Sequence, residues 1–208
     1  MKETINGKTI LTTPFTEDDI LSLRIGDVVY INGDIVTGRD DVHIRVVSEG
    51  MELPSDAHGK ALMHAGPIVR ESAEGGYEMV AIGPTTSMRM EKLEYEFIRR
   101  TGIRFFIGKG SMGERTAEAC REFGAVHCVL PAGNAVVTAM RAGEIKDVGW
   151  LDLGMAEAFW SIRVKELGPL IVSIDSEGNN LFDEKKKQYT ERREEQLAEI
   201  SKKLGSVL

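Results

Sequence analysis

The sequence MVAIGPTTSMRM at residues 79–90 decides how the rest of the chain is interpreted, because it joins a strand pattern to a helix pattern. The four apolar residues 79–82 predict a short strand. Residues 91–100 predict a helix that stops at Gly102, since glycine is the usual residue just past a helix end. The chain is therefore expected to pass from strand to tight turn to helix.

A helix that begins near Thr85 would suit an anionic ligand, because its first N–H groups are unpaired and carry a partial positive charge. Thr85, Thr86 and Ser87 would add hydroxyls there, and Arg89 would lie one turn further along. Ordinary capping competes with this interpretation, since proline and threonine also begin helices without any ligand. The local pattern alone favours capping, so the choice depends on the other motifs.

Composition limits the class of protein. The 208 residues, 42% of them hydrophobic, provide the core of one domain covering residues 1–208. The formal net charge of -7 argues against nucleic acid or an anionic membrane as partner. Neither a bilayer-length apolar run nor a signal peptide pattern is found, so a cytoplasmic protein is expected.

The cysteines predict no metal centre within this chain. Cys120 and Cys128 are the only two in the sequence, and each lies in an apolar pattern typical of a buried free thiol. Two cysteines are too few for an iron–sulfur cluster, which normally has three or four thiolate ligands.

The first quarter of the chain predicts a strand at residues 9–11, a short helix opened by Thr16, and a hairpin across Asn32-Gly33. Asp40 and Asp41 suit the first turn of a helix that runs towards Gly50. Arg39 would stand at the mouth of that helix. Most loop arginines are solvated, so a ligand role for Arg39 is the minority interpretation from its local pattern. His43 receives no role.

A lysine between two glycines follows the next predicted strand, 103–107, which should be buried on both faces. The sequence GKGSMGE at residues 108–114 is not a phosphate loop. Ile103 stands where the first glycine is required, and Gly110 stands where serine or threonine must follow the lysine. Lys109 is left at the carboxyl end of a parallel-type strand, where open α/β sheets bind ligands.

The remaining chain continues the alternation of helices and strands. Ser111 and Glu114 form a capping-box pattern for a helix through Cys120 and Phe123. The further elements predicted are a strand at 126–130, a helix at 135–141, strands at 162–164 and 170–174 around Gly168-Pro169, and a charged helix at about 183–204. A narrow apolar stripe on that last helix, Leu197, Ile200 and Leu204, could pack on this domain or on a partner.

Three motifs in one chain resemble a known family. GPTTSxRM at 83–90, GRDxxH at 38–43 and GKGxM at 108–112 are similar to the β part of class I, iron–sulfur-dependent fumarases and L-tartrate dehydratases. The resemblance covers roughly residues 9–189, and three motifs in order are more specific than any one. The family's α and β parts are fused in some members and separate in others, so the resemblance implies a separate β subunit.

The resemblance implies an α/β fold of the swivelling β/β/α type, which closes over a 4Fe-4S cluster held by three cysteines of the α subunit. It implies a small dicarboxylate substrate and no metal ligand in this chain. Because the cations of this chain have no cluster opposite them within it, we predict an obligate α partner and a higher oligomer of αβ pairs. Arg39, Thr86, Arg89 and Lys109 match substrate-binding residues. Thr85 matches a residue that also contacts the substrate and is the proposed base for the C3 proton, with an aspartate of the α part as acid.

Elementary chemistry agrees in part with these roles. Eliminating water from malate requires a base, an acid or Lewis acid at the leaving hydroxyl, and cations for two carboxylates. The chain offers cations and hydroxyls, but a threonine hydroxyl is a weak base that needs activation. Two hypotheses follow: half of a hydro-lyase that is active only with an α subunit, or a non-catalytic anion-binding subunit. Malate and fumarate are preferred to tartrate for their place in the tricarboxylic acid cycle, not from any residue.

Overall fold

The computed structural model describes residues 2–73 and 75–205, the side chains of 204 and 205 excepted. Its strands are β1 Lys2–Ile5, β2 Lys8–Thr12, β3 Val28–Thr37, β4 Ala61–Met63, β5 Ile68–Glu71, β6 Tyr77–Ala81, β7 Phe105–Gly108, β8 Val126–Val129, β9 Ala142–Gly149 and β10 Phe159–Ile174. Its α-helices are α1 Glu17–Leu21, α2 Asp40–Val47, α3 Glu91–Thr101, α4 Glu114–Phe123, α5 Ala135–Arg141 and α6 Leu181–Gly205.

The main sheet closes on itself. Its order is β1-β2-β3-β4-β7-β8-β10-β9, and β10 also pairs with β3, so β3, β4, β7, β8 and β10 form a ring. Within it β3, β4, β7 and β8 run parallel to their neighbours, whereas β10 is antiparallel to β3 and to β8. The carboxyl ends of the four parallel strands therefore meet at one edge, which we call the site edge. The mixed α/β class is confirmed, and the swivelling type stays a prediction.

Two hydrophobic cores lie on opposite faces of the central strands. Phe105 and Ile107 of β7 belong to the first core, whereas Phe106 between them belongs to the second, where it meets Phe97 of α3. This alternation follows from the two-residue period of a strand. The second core is completed by apolar residues of α2 and α4, so these three helices cover one face of the ring. The prediction that this strand is buried on both faces is confirmed.

The hairpin predicted at Asn32-Gly33 is wrong, because both residues lie inside the ten-residue strand β3. Gly33 has φ +99°, which bends the strand without ending it, and β10 pairs with β3 from Val28 to Val36. Such long-range pairing overrides a local turn signal. The two strands predicted around Gly168-Pro169 are likewise one irregular strand, β10.

The helix predicted at residues 91–100 is confirmed, since α3 begins at Glu91, but no α-helix begins near Thr85, where a 3₁₀ turn at Ser87–Arg89 follows Thr85 and Thr86 instead. The capping box predicted for the next helix is wrong. Helix α4 begins after Gly113 without the capping box of Ser111 and Glu114. The Glu91 carboxylate caps it instead, accepting hydrogen bonds from the N–H groups of Gly113 (2.7 Å), Arg115 (3.1 Å) and Thr116 (3.3 Å).

Helix α6 extends away from the cores, and its side chains beyond Leu181 are almost all exposed. Leu197 and Ile200 of the predicted stripe are 54% and 50% exposed, while the Leu204 side chain lies outside the described residues. Among the described residues, no helix combines the length and the apolar composition needed to cross a membrane.

Candidate active site

At the site edge, a polar residue follows each of three parallel strands, and two of these residues, Arg39 and Lys109, are predicted site residues. Arg39 follows β3, His64 follows β4, and Lys109 follows β7. Parallel strands bring these chain ends side by side, because their carboxyl ends lie at the same edge of the sheet. Residues that are far apart in sequence thereby become neighbours.

Residues 83–90, which we call the site segment, cross this edge and are pinned to it by backbone hydrogen bonds. The N–H of Thr85 donates to the His64 carbonyl (2.6 Å), and the N–H of Lys109 donates to the Thr85 carbonyl (3.0 Å). The N–H of Ser87 donates to the Lys109 carbonyl (3.1 Å). Thr85, Thr86 and Lys109 are therefore held next to one another by the main chain.

Gly108 makes this close approach possible. A Cβ atom at Gly108 would overlap the Ser87 hydroxyl, so the site segment could not lie this close to β7 with any other residue there. Gly110 has φ +77°, a conformation that glycine adopts readily. The two glycines around Lys109 are thus required for different reasons, Gly108 for the close approach of the site segment and Gly110 for its positive φ. Among the described residues Lys109 has no ion-pair partner, and it is half-buried.

Both arginines pair with carboxylates of the chain itself. Arg89 contacts Asp40 through Nε–Oδ1 (3.1 Å) and Nη2–Oδ2 (2.9 Å). Arg39 contacts Glu157 through Nη2–Oε1 (3.0 Å), and both of these side chains are about four-fifths buried. Burial raises the pKa of the Glu157 carboxyl, while the N–H of Asp41 and the charge of Arg39 oppose that rise. The pair with Asp40 brings Arg89 beside the start of α2, next to Arg39.

The structure thus places all five predicted site residues on or beside the site edge, with backbone contacts joining Thr85, Thr86 and Lys109 and ion pairs positioning Arg39 and Arg89. Their roles towards a substrate stay predictions. A separate cleft of about 710 Å³ lies between the first turns of α6 and residues 111–114, and of the site segment it contacts Met88. Because it is lined by none of the five, we do not assign it to the candidate chemistry.

A buried carboxylate lies beneath this edge. Glu94 of α3 is fully buried, and its two oxygens face two imidazoles: His43 Nε2 at 3.1 Å from Oε2, and His64 Nε2 at 3.5 Å from Oε1. These are ion-pair contacts rather than well-aligned hydrogen bonds. The ligand atoms of the three residues lie within 4.8 Å of one another, a donor set that zinc also uses. The three side chains also contact each other directly, so the carboxylate and the two imidazoles form one buried polar cluster.

The other nitrogen of each imidazole contacts one of the segments that carry predicted site residues. His43 Nδ1 lies 2.7 Å from the Arg39 carbonyl oxygen, and His64 Nδ1 lies 3.0 Å from Ser87 Oγ. Ser87 Oγ also lies 3.0 Å from His127 Nε2, so this hydroxyl is held between two rings. Burial lowers the pKa of His127 to about 3, assisted by the charge of His64, so His127 is neutral near pH 7.

The cysteines do not fit an iron–sulfur cluster. Cys120 and Cys128 are free and buried, as predicted. Burial raises the pKa of both thiols, and a cluster needs thiolates. No reaction step through a cluster is therefore assigned to this chain.

The sequence analysis missed Glu94 and its histidines. One signal was present: Met90, Glu94, Phe97 and Ile98 recur at helical spacing, which puts Glu94 on the buried face of α3. His64 and His127 follow or lie in apolar strands, and a histidine in such a run is usually buried. Nothing in the sequence indicates that these side chains converge.

Comparison with known proteins shows the family. A family model described as Fumarase C-terminus matches residues 2–185. The chain is 51% identical over 193 residues to the L(+)-tartrate dehydratase subunit beta of Escherichia coli strain K12, covering 93% of this chain and 96% of that protein. This chain belongs to the class I fumarase and tartrate dehydratase β subunit family. The resemblance found from the three motifs is confirmed.

Two more distant family members differ in length. A protein of Methanocaldococcus jannaschii, provisionally named as an L(+)-tartrate dehydratase subunit beta, is 38% identical over 181 residues, covering 85% of this chain and 92% of that protein. A protein of Geobacillus stearothermophilus, provisionally named fumarate hydratase class I, is 37% identical over 182 residues. That alignment covers 88% of this chain but only 35% of the longer protein. The β-type sequence therefore occurs both alone and as part of a larger chain.

Proposed function

We propose that this chain is the β subunit of a two-subunit hydro-lyase that removes water from a 2-hydroxy dicarboxylate. The observation that carries the proposal is the grouping of Arg39, Arg89 and Lys109 with the hydroxyl residues Thr85 and Thr86 at the site edge. A net charge of -7 makes this local group of cations stand out against the overall sign. Cations and hydroxyls together suit a small dianion.

The two arginines bind the substrate carboxylates by exchanging partners. In this structure Asp40 and Glu157 hold them in position and partly neutralise them. A substrate carboxylate offers the same two-oxygen geometry that a guanidinium prefers, so it can replace an internal carboxylate with little rearrangement. Lys109, which has no ion-pair partner among the described residues, supplies a further positive charge.

The elimination breaks a C–H bond at C3 and the C–O bond at C2, and the electron pair of the C–H bond forms the new double bond. Thr85 is the proposed acceptor of the C3 proton, and its main chain is fixed by His64 and Lys109. Because a threonine hydroxyl is a weak base, neighbouring positive charge must assist it. The acid for the leaving hydroxyl and the 4Fe-4S cluster are expected on the α subunit, within a higher oligomer of αβ pairs.

L-tartrate and malate are the two substrates to assay. The relative that is 51% identical is named for L(+)-tartrate, and the more distant Geobacillus protein is named for fumarate. Dehydration of tartrate gives an enol that becomes oxaloacetate, whereas dehydration of malate gives fumarate. The preference for fumarate rested on its metabolic role, and the more similar relative supports assaying tartrate first.

Reconstitution tests the proposal. The full chain purified alone should contain no stoichiometric iron and should not turn over either substrate. Mixing it with a cluster-loaded α subunit should produce dehydratase activity on tartrate or malate. If the mixed complex is formed, retains its cluster and stays inactive on both, the hydro-lyase proposal fails, and anion binding by the isolated chain would then favour a non-catalytic subunit.

A further inference from the structure

Among the residues that the structure describes, Glu94 is the one carboxylate linked to both parts of the candidate site, to the Arg39 turn through His43 and to Ser87 of the site segment through His64. It is completely buried on α3, with one imidazole at each oxygen. Burying an ionised carboxylate without compensation is very costly, so its partners must supply protons or charge. The positions of those partners show how the compensation is arranged.

His43 can satisfy both of its contacts only as a cation or by sharing a proton with Glu94. Its Nδ1 faces the Arg39 carbonyl oxygen at 2.7 Å, and a carbonyl oxygen only accepts, so Nδ1 must carry a hydrogen. Its Nε2 faces Glu94 Oε2 at 3.1 Å, and an ionised carboxylate also only accepts. The simplest assignment is an imidazolium–carboxylate pair whose other end holds the Arg39 main chain.

The second imidazole connects the same carboxylate to the site segment. His64 Nε2 faces Glu94 Oε1, and its Nδ1 donates to Ser87 Oγ, because the single hydrogen of that hydroxyl goes to the unprotonated Nε2 of His127. The one hydrogen of the neutral His127 ring is on Nδ1, which donates to Ser173 Oγ, while the Ser173 hydroxyl donates to the His127 carbonyl. The His64 carbonyl also accepts the N–H of Thr85. His64 therefore holds the site segment through both its ring and its main chain.

We propose that Glu94 is a positioning residue that holds the Arg39 turn and the Thr85–Ser87 part of the site segment in one arrangement through His43 and His64. The inference rests on the proposed function for the meaning of those two segments. Glu94 itself lies beneath the edge and acts only through the two imidazoles. Removing its charge should move both segments together, although they lie far apart in the sequence.

The surroundings support an ionised Glu94. Burial alone would raise the pKa of its carboxyl, but His64 and His43 more than offset this and hold that pKa well below its usual range. The other titratable groups that face it are Cys120 from α4, whose thiol pKa is raised, and neutral His127 from β8. Within the described residues, no lysine or arginine pairs with Glu94, so the histidines are its counter-charges.

Nitrogen NMR of the full chain with ¹⁵N-labelled histidine tests the protonation directly. At pH 7.5 we expect both ring nitrogens of His43 to be protonated in the unaltered protein. In Glu94→Gln, His43 should become neutral with Nε2 unprotonated, and the amide resonances of Arg39, Thr85 and Ser87 should shift. The matched control is Glu96→Gln, the same change two residues away on a partly exposed carboxylate paired with Arg99 and Arg100, and it should leave these signals unchanged.

The same variants are then compared in the reconstituted αβ complex. Glu94→Gln should lower kcat/KM by at least about tenfold while Glu96→Gln leaves it unchanged. An unprotonated His43 Nε2 in the unaltered protein overturns the proposal, and this measurement needs no variant to fold. Glu94→Gln with unshifted amide resonances overturns it too, as does metal that copurifies stoichiometrically with the chain and is lost in Glu94→Gln.

The two proposals can fail separately. An active complex that is insensitive to Glu94→Gln removes the positioning role and leaves the hydro-lyase function intact. An inactive complex together with a cationic His43 and linked shifts at Arg39 and Thr85 removes the function but keeps the connection through Glu94. If Glu94→Gln does not fold, Ser87→Ala cuts the contact to His64 with a smaller change and should still shift the amide resonance of Arg39, which is reached from Ser87 through His64, Glu94 and His43; an unshifted Arg39 amide overturns the proposal.

Discussion

Arg89 and Asp40 form a two-point ion pair, with Nε–Oδ1 at 3.1 Å and Nη2–Oδ2 at 2.9 Å. The pair joins the end of the site segment to the first residue of α2. Its side chains are 51% and 26% exposed, so it contributes little to stability and can open at small cost. Arg89 is therefore available to an incoming carboxylate while being held near the position where it would act.

Replacing Arg89 should weaken catalysis without unfolding the chain. A charge-assisted contact to a substrate carboxylate is worth about 1.5–3 kcal/mol. Arg89→Gln should therefore lower kcat/KM of the reconstituted enzyme by about 10- to 100-fold. Arg99→Gln is the control, because Arg99 lies on the exposed side of α3 and pairs with Glu96. Equal effects of the two changes would remove Arg89 from the candidate site.

Replacing Thr85 should show whether its hydroxyl takes part in proton transfer or only in substrate binding. Thr85→Val keeps the shape of the side chain and removes its hydroxyl, so kcat should fall by about 10²–10⁴ if that hydroxyl accepts the proton. KM should change less, and cluster content must be unaltered. Thr190→Val on exposed α6 provides the control. A rise in KM alone, with kcat preserved, would make Thr85 a binding residue and place the base elsewhere.

Glu91 should stabilise the folded chain by capping the start of helix α4. Its carboxylate accepts hydrogen bonds from three backbone N–H groups at the start of α4 and from the Thr116 hydroxyl (2.7 Å). Glu91→Gln removes the charge from these bonds and should cost about 1–3 kcal/mol of the free energy of unfolding. In a chain of this size the Tm should fall by about 2–12 °C. Thermal melts of Glu118→Gln, an exposed change on the same helix, should stay close to the unaltered protein.

Stability should decrease as the pH falls below about 6.5, the ordinary value for histidine. The pKa of His127 is lowered to about 3 in the folded state, so between these values the unfolded chain binds a proton that the folded chain does not. As the pH falls through that window, His127 alone lowers the free energy of unfolding by up to about 1.4 kcal/mol per pH unit. The low pKa of Glu94 acts in the same direction at the acid end.

Denaturant titrations at pH 7, 6, 5 and 4 would measure this slope. His127→Gln should lower stability at pH 7 but flatten the dependence between pH 6.5 and 3, because one linked proton is removed. His58→Gln, on an exposed loop, should leave the slope unchanged. An undiminished slope in His127→Gln would show that other groups account for the acid sensitivity.

Local patterns were enough to predict elements whose ends carry their own signals. Helix α5 occupies the predicted residues 135–141, and α4 ends at Phe123, before a glycine with φ +66°. Asn32-Gly33 shows the limit, because the pair has the composition of a hairpin turn but lies where β3 contacts β2 and β10. Pairing between distant strands is not encoded in the turn residues themselves, so the closed ring could not be predicted.

For the candidate site, the sequence supplied the residue types and the strand ends but not the supporting contacts. Lys109 was predicted at the carboxyl end of a parallel strand and lies there, next to Thr86. The internal partners Asp40 and Glu157 were not anticipated as partners of the arginines. Glu157 is more than a hundred residues from Arg39 in sequence, and such pairings depend on the folded chain.

The position of β10 has a consequence for biosynthesis. Ser161 of β10 pairs with Val36 of β3, while the other end of the strand pairs with β8, so this one strand closes the ring. Contacts so distant in sequence form late, because the entropy of closing a long loop is lost before the pairing is gained. A nascent chain therefore exposes the unpaired edges of β3 and β8 until residue 174 has left the ribosome. The site edge, which depends on that ring, is completed only afterwards.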